Sequence, residues 1–344
     1  MGTKIHIFIG FLLFFHQNIL GQDIVLNHPY AALMYNNPAY TGIFGPLHAG
    51  TAFRSQFTAS PAPYTTYYTE TDIFVEKWSS GFGFYLLRDL MDAGRLRQTA
   101  AALSYVFSLQ ITDNLALRPA IQGVFHNRHS DFRTVAFPDM FNLAGLSVPS
   151  ASSTYEPYHS SAFDFSTGLL GQYQRLELGL AVHHLGVQPE DPHLRRSLKM
   201  VLHIKCIIPL TGPASGEEVK PSEFLEFERT KLIPTLQYHQ QEQYKFMTAG
   251  MLVQSGAFYA GAGIKTALQQ DVANISLSAG FLSSSFRMGY TTDFTGWGSA
   301  LSGWQGVSHE LFVHFTFGNN NIGAAPRRQN RTKYNSKSCF GCYL

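Results

Sequence analysis

Cys339 and Cys342, in CFGC, have the C-x-x-C spacing of a dithiol redox centre. Redox catalysis would need the first thiol at a helix N-terminus behind a buried strand, where its pKa falls. The pair instead stands close to the carboxyl end, and two thiolates alone do not complete a zinc shell. In an oxidising compartment the spacing favours a local disulfide, or a link to a partner. Cys206 lies within an alternating segment and reads as a small apolar residue.

Histidine is abundant, at 14 residues. His183 and His184 are adjacent, and neighbours on a strand point to opposite faces, so they are not expected to chelate one ion. His126, His129 and Asp131 gather at a strand end, where a polar loop explains them equally well. GAGIKT (261–266) resembles a phosphate loop, but its glycines keep strand phase with Ala262 and Ile264. No nucleophile elbow, Walker loop, H-E-x-x-H or dinucleotide fingerprint is present. No catalytic residue, metal or cofactor is expected.

The elements carrying these residues alternate with period two. Phe82, Phe84 and Leu86 oppose Gly81, Gly83 and Tyr85; Leu103, Tyr105, Phe107 and Leu109 oppose Ser104, Val106, Ser108 and Gln110. Leu176, Leu178, Leu180 and Val182 oppose Glu177, Gly179 and Ala181; Leu311, Val313, Phe315 and Phe317 oppose Glu310, Phe312, His314 and Thr316. Each pattern is a strand with one apolar face. About 14 such segments occur, beginning near 47, 64, 80, 97, 114, 162, 176, 198, 229, 244, 257, 271, 284 and 307. The second face reads as small or polar rather than charged, as a lumen would require.

Connections alternate in length. EKWS, ITDN, QR, QSG and SSS are short; RDLMDAGR, 127–160, 186–197 and FTGWGSALSGWQG are the opposite connections, most of them longer. Short periplasmic turns and longer outer loops are the habit of outer-membrane barrels. The acidic insert 211–228 breaks the rule on the short side.

MGTKIHIFIGFLLFFHQNILGQ opens with Lys4 and an apolar run to Phe15, the pattern of a secretory signal peptide over 1–21. No later run is long enough for a spanning helix. Charged residues make up 14%, against about 25% in an ordinary soluble domain, and aromatics also reach 14%. Basic and acidic residues number 25 and 23, but Arg327, Arg328, Arg331, Lys333 and Lys337 crowd a tail without acids. The body is therefore mildly acidic, which does not suit a nucleic-acid partner.

YNNPAYTG (35–42) precedes the first strand. Pro38 fixes its own φ and biases Asn37 towards extended backbone, and Gly42 can take positive φ. Asn37, Pro38, Ala39, Tyr40 and Gly42 thus read as an ordered structural entry, with Tyr30, Tyr35 and Tyr40 packing at the periplasmic mouth or in the lumen. A loose leader is the alternative.

HPYAALMYNNPAYTG (28–42), FRSQF (53–57), GFGFYLLRD (81–89), LSYVFSL (103–109), HHLG (183–186), LIPTLQYHQQ (232–241), FRMGYTTDF (286–294) and SHELFVHFTFG (308–318) follow in order along the chain. Together they resemble the PorP/SprF family of outer-membrane proteins of the type IX secretion and gliding apparatus. NPAYTG followed by FRSQF is the most specific pair. The long 127–160 loop, the acidic insert and the tail depart from the family pattern.

The expected fold is all-β: a transmembrane antiparallel β-barrel of about 14 strands with an N-terminal entry segment and a periplasmic C-terminal tail. The expected division is a signal peptide (1–21), an N-terminal periplasmic or plug segment (22–46), a barrel (47–318) and a basic tail (319–344). Trp78, Tyr85, Tyr105 and Phe317 are candidate lipid-facing girdle residues. The resemblance implies a non-enzymatic outer-membrane barrel that anchors a large secreted surface protein or docks periplasmic secretion and gliding components. Phe132, Phe137, Met140 and Phe141 are the candidate cargo contacts, and the basic tail is the candidate periplasmic contact. A porin or hydrophobic-solute channel is the alternative, and a soluble secreted β-sandwich adhesin the third reading.

Overall fold

The computed structural model describes residues 23–58, 60, 62–112, 114–131, 157–186, 196–210, 230–268, 273–283, 285–297 and 306–318. They form β1 (Leu47–Gln56), β2 (Tyr64–Val75), β3 (Ser80–Met91), β4 (Leu96–Phe107), β5 (Leu109–Thr112), β6 (Leu115–Ser130), β7 (Tyr158–Tyr173) and β8 (Leu176–His183). Then follow β9 (Lys199–Cys206), β10 (Ile208–Pro209), β11 (Lys231–Gln241), β12 (Tyr244–Ser255), β13 (Phe258–Ala267), β14 (Ala273–Leu282), β15 (Phe286–Trp297) and β16 (Gly306–Phe317). β5 and β10 are short pieces beyond β4 and β9 that pair with β6 and β11.

The remaining 14 strands close into an antiparallel ring. β16 returns to β1, with Leu47 opposite Phe317 and Ser55 opposite His309. Closure leaves no unpaired sheet edge, which hydrocarbon demands because it offers backbone groups no other partner. The strand starts read from the alternation fall within a few residues of those observed; the largest difference is β7, which begins at Tyr158 rather than near 162.

The exposed side of the ring is apolar. Phe82, Leu86, Leu103, Tyr105, Phe163, Phe165, Phe315 and Phe317 all point outward. Their strand neighbours are buried inside the ring. This is the reverse of a soluble sandwich, whose apolar faces meet between two sheets. Among the described residues no helix is long and apolar enough to cross a membrane.

Three expectations need correction. The inner face is charged as well as polar: Arg54, Glu70, Asp72, Asp89, Arg118, Glu177, Lys199, Lys205, Asp293 and Glu310 are all buried there. Charges survive inside because ion pairs and hydrogen bonds replace water. Tyr85 does not join a lipid-facing girdle. It shares its face with Gly81 and Gly83, is 3% exposed, and packs on Tyr35 with ring centroids 5.9 Å apart. Trp78, Tyr105 and Phe317 do face outward. Finally, RDLMDAGR is not a long loop: β3 continues to Met91 and β4 resumes at Leu96. The length contrast between the two mouths is accordingly weaker than expected, since β11 and β12 are also joined by a tight turn at Glu242 and Gln243.

Both β1 and β16 have their outer chain ends at the mouth that carries the turns at Glu76–Trp78, Gln174 and Gly256. Residues 23–46 lie inside the ring. They begin among the ends of β8, β9 and β11 at the opposite mouth and descend to Gly42 beside the start of β3. One α-helical turn (Leu33–Asn36) and one 3₁₀ turn (Pro38–Tyr40) shorten the path. Tyr30, Tyr35 and Tyr40 are all buried, as are Leu26, Leu33, Met34, Ile43 and Phe44.

Candidate functional site: a filled lumen beneath an open vestibule

Asparagine, proline and glycine set the local shape of the lower half of the inner segment. Asn37 is extended (φ −151°) and caps the 3₁₀ turn, its Oδ1 accepting from the Ala39 amide at 2.9 Å. Its Nδ2 donates to the Leu169 and Leu180 carbonyls, each at 3.3 Å. Pro38 occupies the first position of the turn, where a missing N–H costs nothing. Thr41 Oγ1 closes the turn by donating to the Pro38 carbonyl at 2.8 Å.

Gly42 has φ +70° and donates its amide to Asp72 Oδ1 at 2.9 Å. A β-carbon there would stand 3.1 Å from both Gly81 Cα and the Ile73 carbonyl, so both conformation and space demand glycine. Tyr40 donates to Glu177 Oε1 at 2.5 Å and stacks on His203 with centroids 5.3 Å apart. Lys205 pairs with the same Glu177 oxygen at 3.0 Å. Arg118 donates to the carbonyls of Ala39 (3.2 Å) and Thr41. The turn is thereby tied to β2 through Asp72, to β6 through Arg118, to β7 through the Leu169 carbonyl and to β8 through Glu177 and the Leu180 carbonyl.

The upper half is held by carboxylates. Glu310 accepts from the Asn27 and His28 amides, both at 2.9 Å, and Asp293 accepts from Asn27 Nδ2 at 2.6 Å. Arg54 bridges these acids, 3.3 Å from Asp293 and 3.4 Å from Glu310, and donates to the Val25 carbonyl. His28 Nδ1 accepts from the Tyr30 amide at 3.1 Å, so its proton sits on Nε2, 2.8 Å from the Tyr259 hydroxyl. Burial lowers the His28 pKa from 6.5 to about 3, matching a neutral ring.

At the top, Asp23 faces His184 Nε2 at 2.7 Å, Arg196 at 2.8 Å and Lys199 at 3.5 Å. Burial pushes its pKa up, but His184, Lys199 and Arg196 outweigh that and hold the carboxyl well below its ordinary range. Above it opens a cavity of about 730 Å³, lined by Asp23, Arg54, Tyr64, Asp89, Lys245 and Lys265 among others. This vestibule lies at the mouth opposite the start of β1 and the end of β16 and is floored by the inner segment.

The histidine expectations also change. His183 and His184 both turn inward, because the chain leaves β8 at His184 with φ +64° and strand alternation stops there. His183 Nε2 donates to the Asn36 carbonyl at 3.2 Å, and His184 Nδ1 meets Asp164 Oδ2 at 2.5 Å. His126 joins Asp164 and His184, not His129 and Asp131. An odd spacing on a strand places His126 and His129 on opposite faces; His129 pairs instead with the His159 ring, centroids 6.1 Å apart. The glycines of 261–266 face the lumen side, Gly263 lying beside Ser276 in a small recess.

Phe132, Phe137, Met140, Phe141, Arg327, Arg328, Arg331, Lys333, Lys337, Cys339 and Cys342 lie outside the described residues, as does the 1–21 leader. The luminal carboxylates and cations were not singled out from the sequence. A signal was present: Glu70, Asp72, Glu177, Asp293 and Glu310 all stand in the inward phase of their strands.

The profile of one family, "Type IX secretion system membrane protein PorP/SprF", matches residues 19–315. No curated protein sequence matches the chain. Similar solved structures include the P. putida toluene transporter TodX, 10% identical over 84% of this chain and 94% of that one, with a TM-score of 0.47. The CymD monoaromatic hydrocarbon channel is 12% identical over 88% and 96%, with a TM-score of 0.45. The KdgM porin is 3% identical over 78% and 99%, with a TM-score of 0.34. Likenesses this distant say nothing of what the present barrel binds or passes.

Proposed function

Because the chain belongs to the PorP/SprF family of type IX secretion system membrane proteins, we propose that it is a docking barrel: it holds a secreted cell-surface protein at its outer mouth and engages secretion or gliding components in the periplasm. It is a non-enzymatic barrel of the bacterial outer membrane, within the type IX secretion and gliding apparatus.

The observation carrying the docking reading is that the barrel's own residues 23–46 fill its lumen. A diffusion channel needs a continuous aqueous path. Among the described residues the inner segment interrupts that path, and Asp23 lines the vestibule left at one mouth. Even strand number and short turns support a periplasmic position for the start of β1 and the end of β16, with the vestibule at the cell surface. On this reading Phe132, Phe137, Met140 and Phe141, in the stretch of sequence between β6 and β7, contribute apolar contacts to the cargo. Arg327, Arg328, Arg331, Lys333 and Lys337 meet an acidic periplasmic surface. Cys339 and Cys342 close a disulfide in the tail.

The decisive experiment isolates the barrel from native outer membranes in mild detergent, identifies bound proteins, and reconstitutes the same preparation in planar bilayers. Docking predicts stoichiometric recovery of a large secreted protein and no steady conductance. Steady open-channel conductance without such a protein would replace docking with the porin reading.

A further inference from the structure

His48, Glu70 and His314 meet on the inner wall at the seam where the ring closes. They come from β1, β2 and β16, three strands that are neighbours only because β16 returns to β1. Gly50 on β1 stands opposite Glu70 on one side and His314 on the other. The missing side chain is filled by the His314 ring: a β-carbon on Gly50 would lie 2.5 Å from its Cδ2. The three side chains are all but completely buried, and one ligand atom from each lies within 4.8 Å of the others.

These atoms lack hydrogen-bond partners. His48 Nε2, Glu70 Oε1 and both ring nitrogens of His314 are buried without one, although the backbone of Met34 and Ala31 passes close to Glu70 and His314. Buried polar atoms ordinarily find partners, so three unpaired atoms gathered at one point, one from each residue, call for a missing one. His48 is already oriented. Its Nδ1 lies 2.7 Å from Asp72 Oδ2, which places the proton on Nδ1 and leaves Nε2 with a lone pair aimed at Glu70 and His314. A carboxylate behind a ligating imidazole is the usual outer support of a metal site. Glu70 is likewise steadied, its Oε2 accepting from Tyr68 at 2.5 Å.

We propose that His48, Glu70 and His314 bind one transition-type divalent cation, zinc or a close relative, which staples β16, β1 and β2 at the seam. Two imidazoles and a carboxylate suit such an ion better than calcium or magnesium, which prefer all-oxygen shells. Zinc would draw the ligand atoms to roughly 3.3 Å apart, which small side-chain rotations achieve from the present spacing. The ion would also bear on the inner segment, because Asp72 binds the Gly42 amide with its other oxygen. The second buried cluster, His126, Asp164 and His184, is different: the His126 ring nitrogens are unpaired, but both nitrogens of His184 already face carboxylates, so that ring has no lone pair left for an ion.

The test uses the untagged mature chain, folded in detergent and stripped with a chelator, titrated with cobalt(II) chloride and then zinc chloride. One equivalent of cobalt per barrel, with the visible spectrum of a nitrogen-ligated low-coordinate ion displaced by zinc, is expected. His314→Gln and Glu70→Gln should weaken uptake at least tenfold, Asp72→Asn by about 10–100-fold, and His126→Gln not at all. No stoichiometric uptake by the folded wild type overturns the proposal. So does uptake that survives His314→Gln and Glu70→Gln, or is lost only in His126→Gln. Should the seam variants fail to fold, X-ray absorption on the zinc-loaded wild type decides: two imidazoles with a carboxylate sustain the site, and a sulfur or all-oxygen shell overturns it.

Discussion

Asn37 and Gly168 meet so closely that a β-carbon on Gly168 would come within 2.2 Å of Asn37 Oδ1. The inner segment reaches the wall of the barrel there because β7 has no side chain at that point. Gly168→Val should therefore expel the Asn37 turn while leaving the strand paired. A loss of about 1–3 kcal/mol is expected from overpacking. Denaturant titration should show the loss, and limited proteolysis should show residues 23–46 becoming cleavable before the barrel.

Tyr40→Phe removes the hydroxyl that Glu177 accepts from and His203 touches. Lys205 remains beside Glu177, so the carboxylate keeps one partner. The expected cost is about 1–3 kcal/mol, the range for leaving a buried group short of a bond. The measurement is the shift in the heat-induced mobility change of the folded barrel. A variant as stable as wild type would show that the hydroxyl contributes nothing.

Acid should loosen the inner segment through His28. Its folded pKa is depressed to about 3 from 6.5. Between those values the unfolded segment takes up a proton that the folded one refuses. Stability is thus complete above pH 6.5 and falls as pH is lowered towards 3. Asp23, held below its ordinary range, keeps its anchor until more acid conditions. Amide exchange of residues 23–46 should accelerate as pH is lowered from 7 to 4, beyond the intrinsic pH effect, and His28→Gln should blunt the change.

Tyr85 and Phe82 lie on opposite faces of β3. Cysteine at 82 should react with a bilayer-soluble maleimide, and cysteine at 85 should not. Equal labelling would mean that β3 is out of register.

Deleting 319–344 should leave the barrel folded, since β16 ends at Phe317. Recovery of periplasmic partners should fall, and that loss should recur when Arg327, Arg328, Arg331, Lys333 and Lys337 are changed to Gln together. Unchanged partner recovery together with unchanged secretion or motility would remove the tail from the docking role.

Much of this fold is legible in one dimension because strand side chains alternate and hydrocarbon rewards an unbroken apolar face. Phe163 and Phe165, or Leu311, Phe315 and Phe317, declare their outward direction with no knowledge of their neighbours. The same rule places Tyr85 inside; reading it as a girdle residue put its aromatic type ahead of its phase. The rule fails where a strand ends, as at His184, whose positive φ turns it inward beside His183.

By itself, the sequence determined the number of strands, their approximate starts and which face of each meets lipid, since these depend on local periodicity. It also marked Pro38 and Gly42 as fixed backbone positions. Only the tertiary structure decided what fills the ring and which charges meet. Glu310 touches Asn27, Tyr40 touches Glu177, and His48 meets the ring of His314, far away along the chain, because β16 closes on β1. Partners so distant in sequence are set by closure and register, which no single segment encodes.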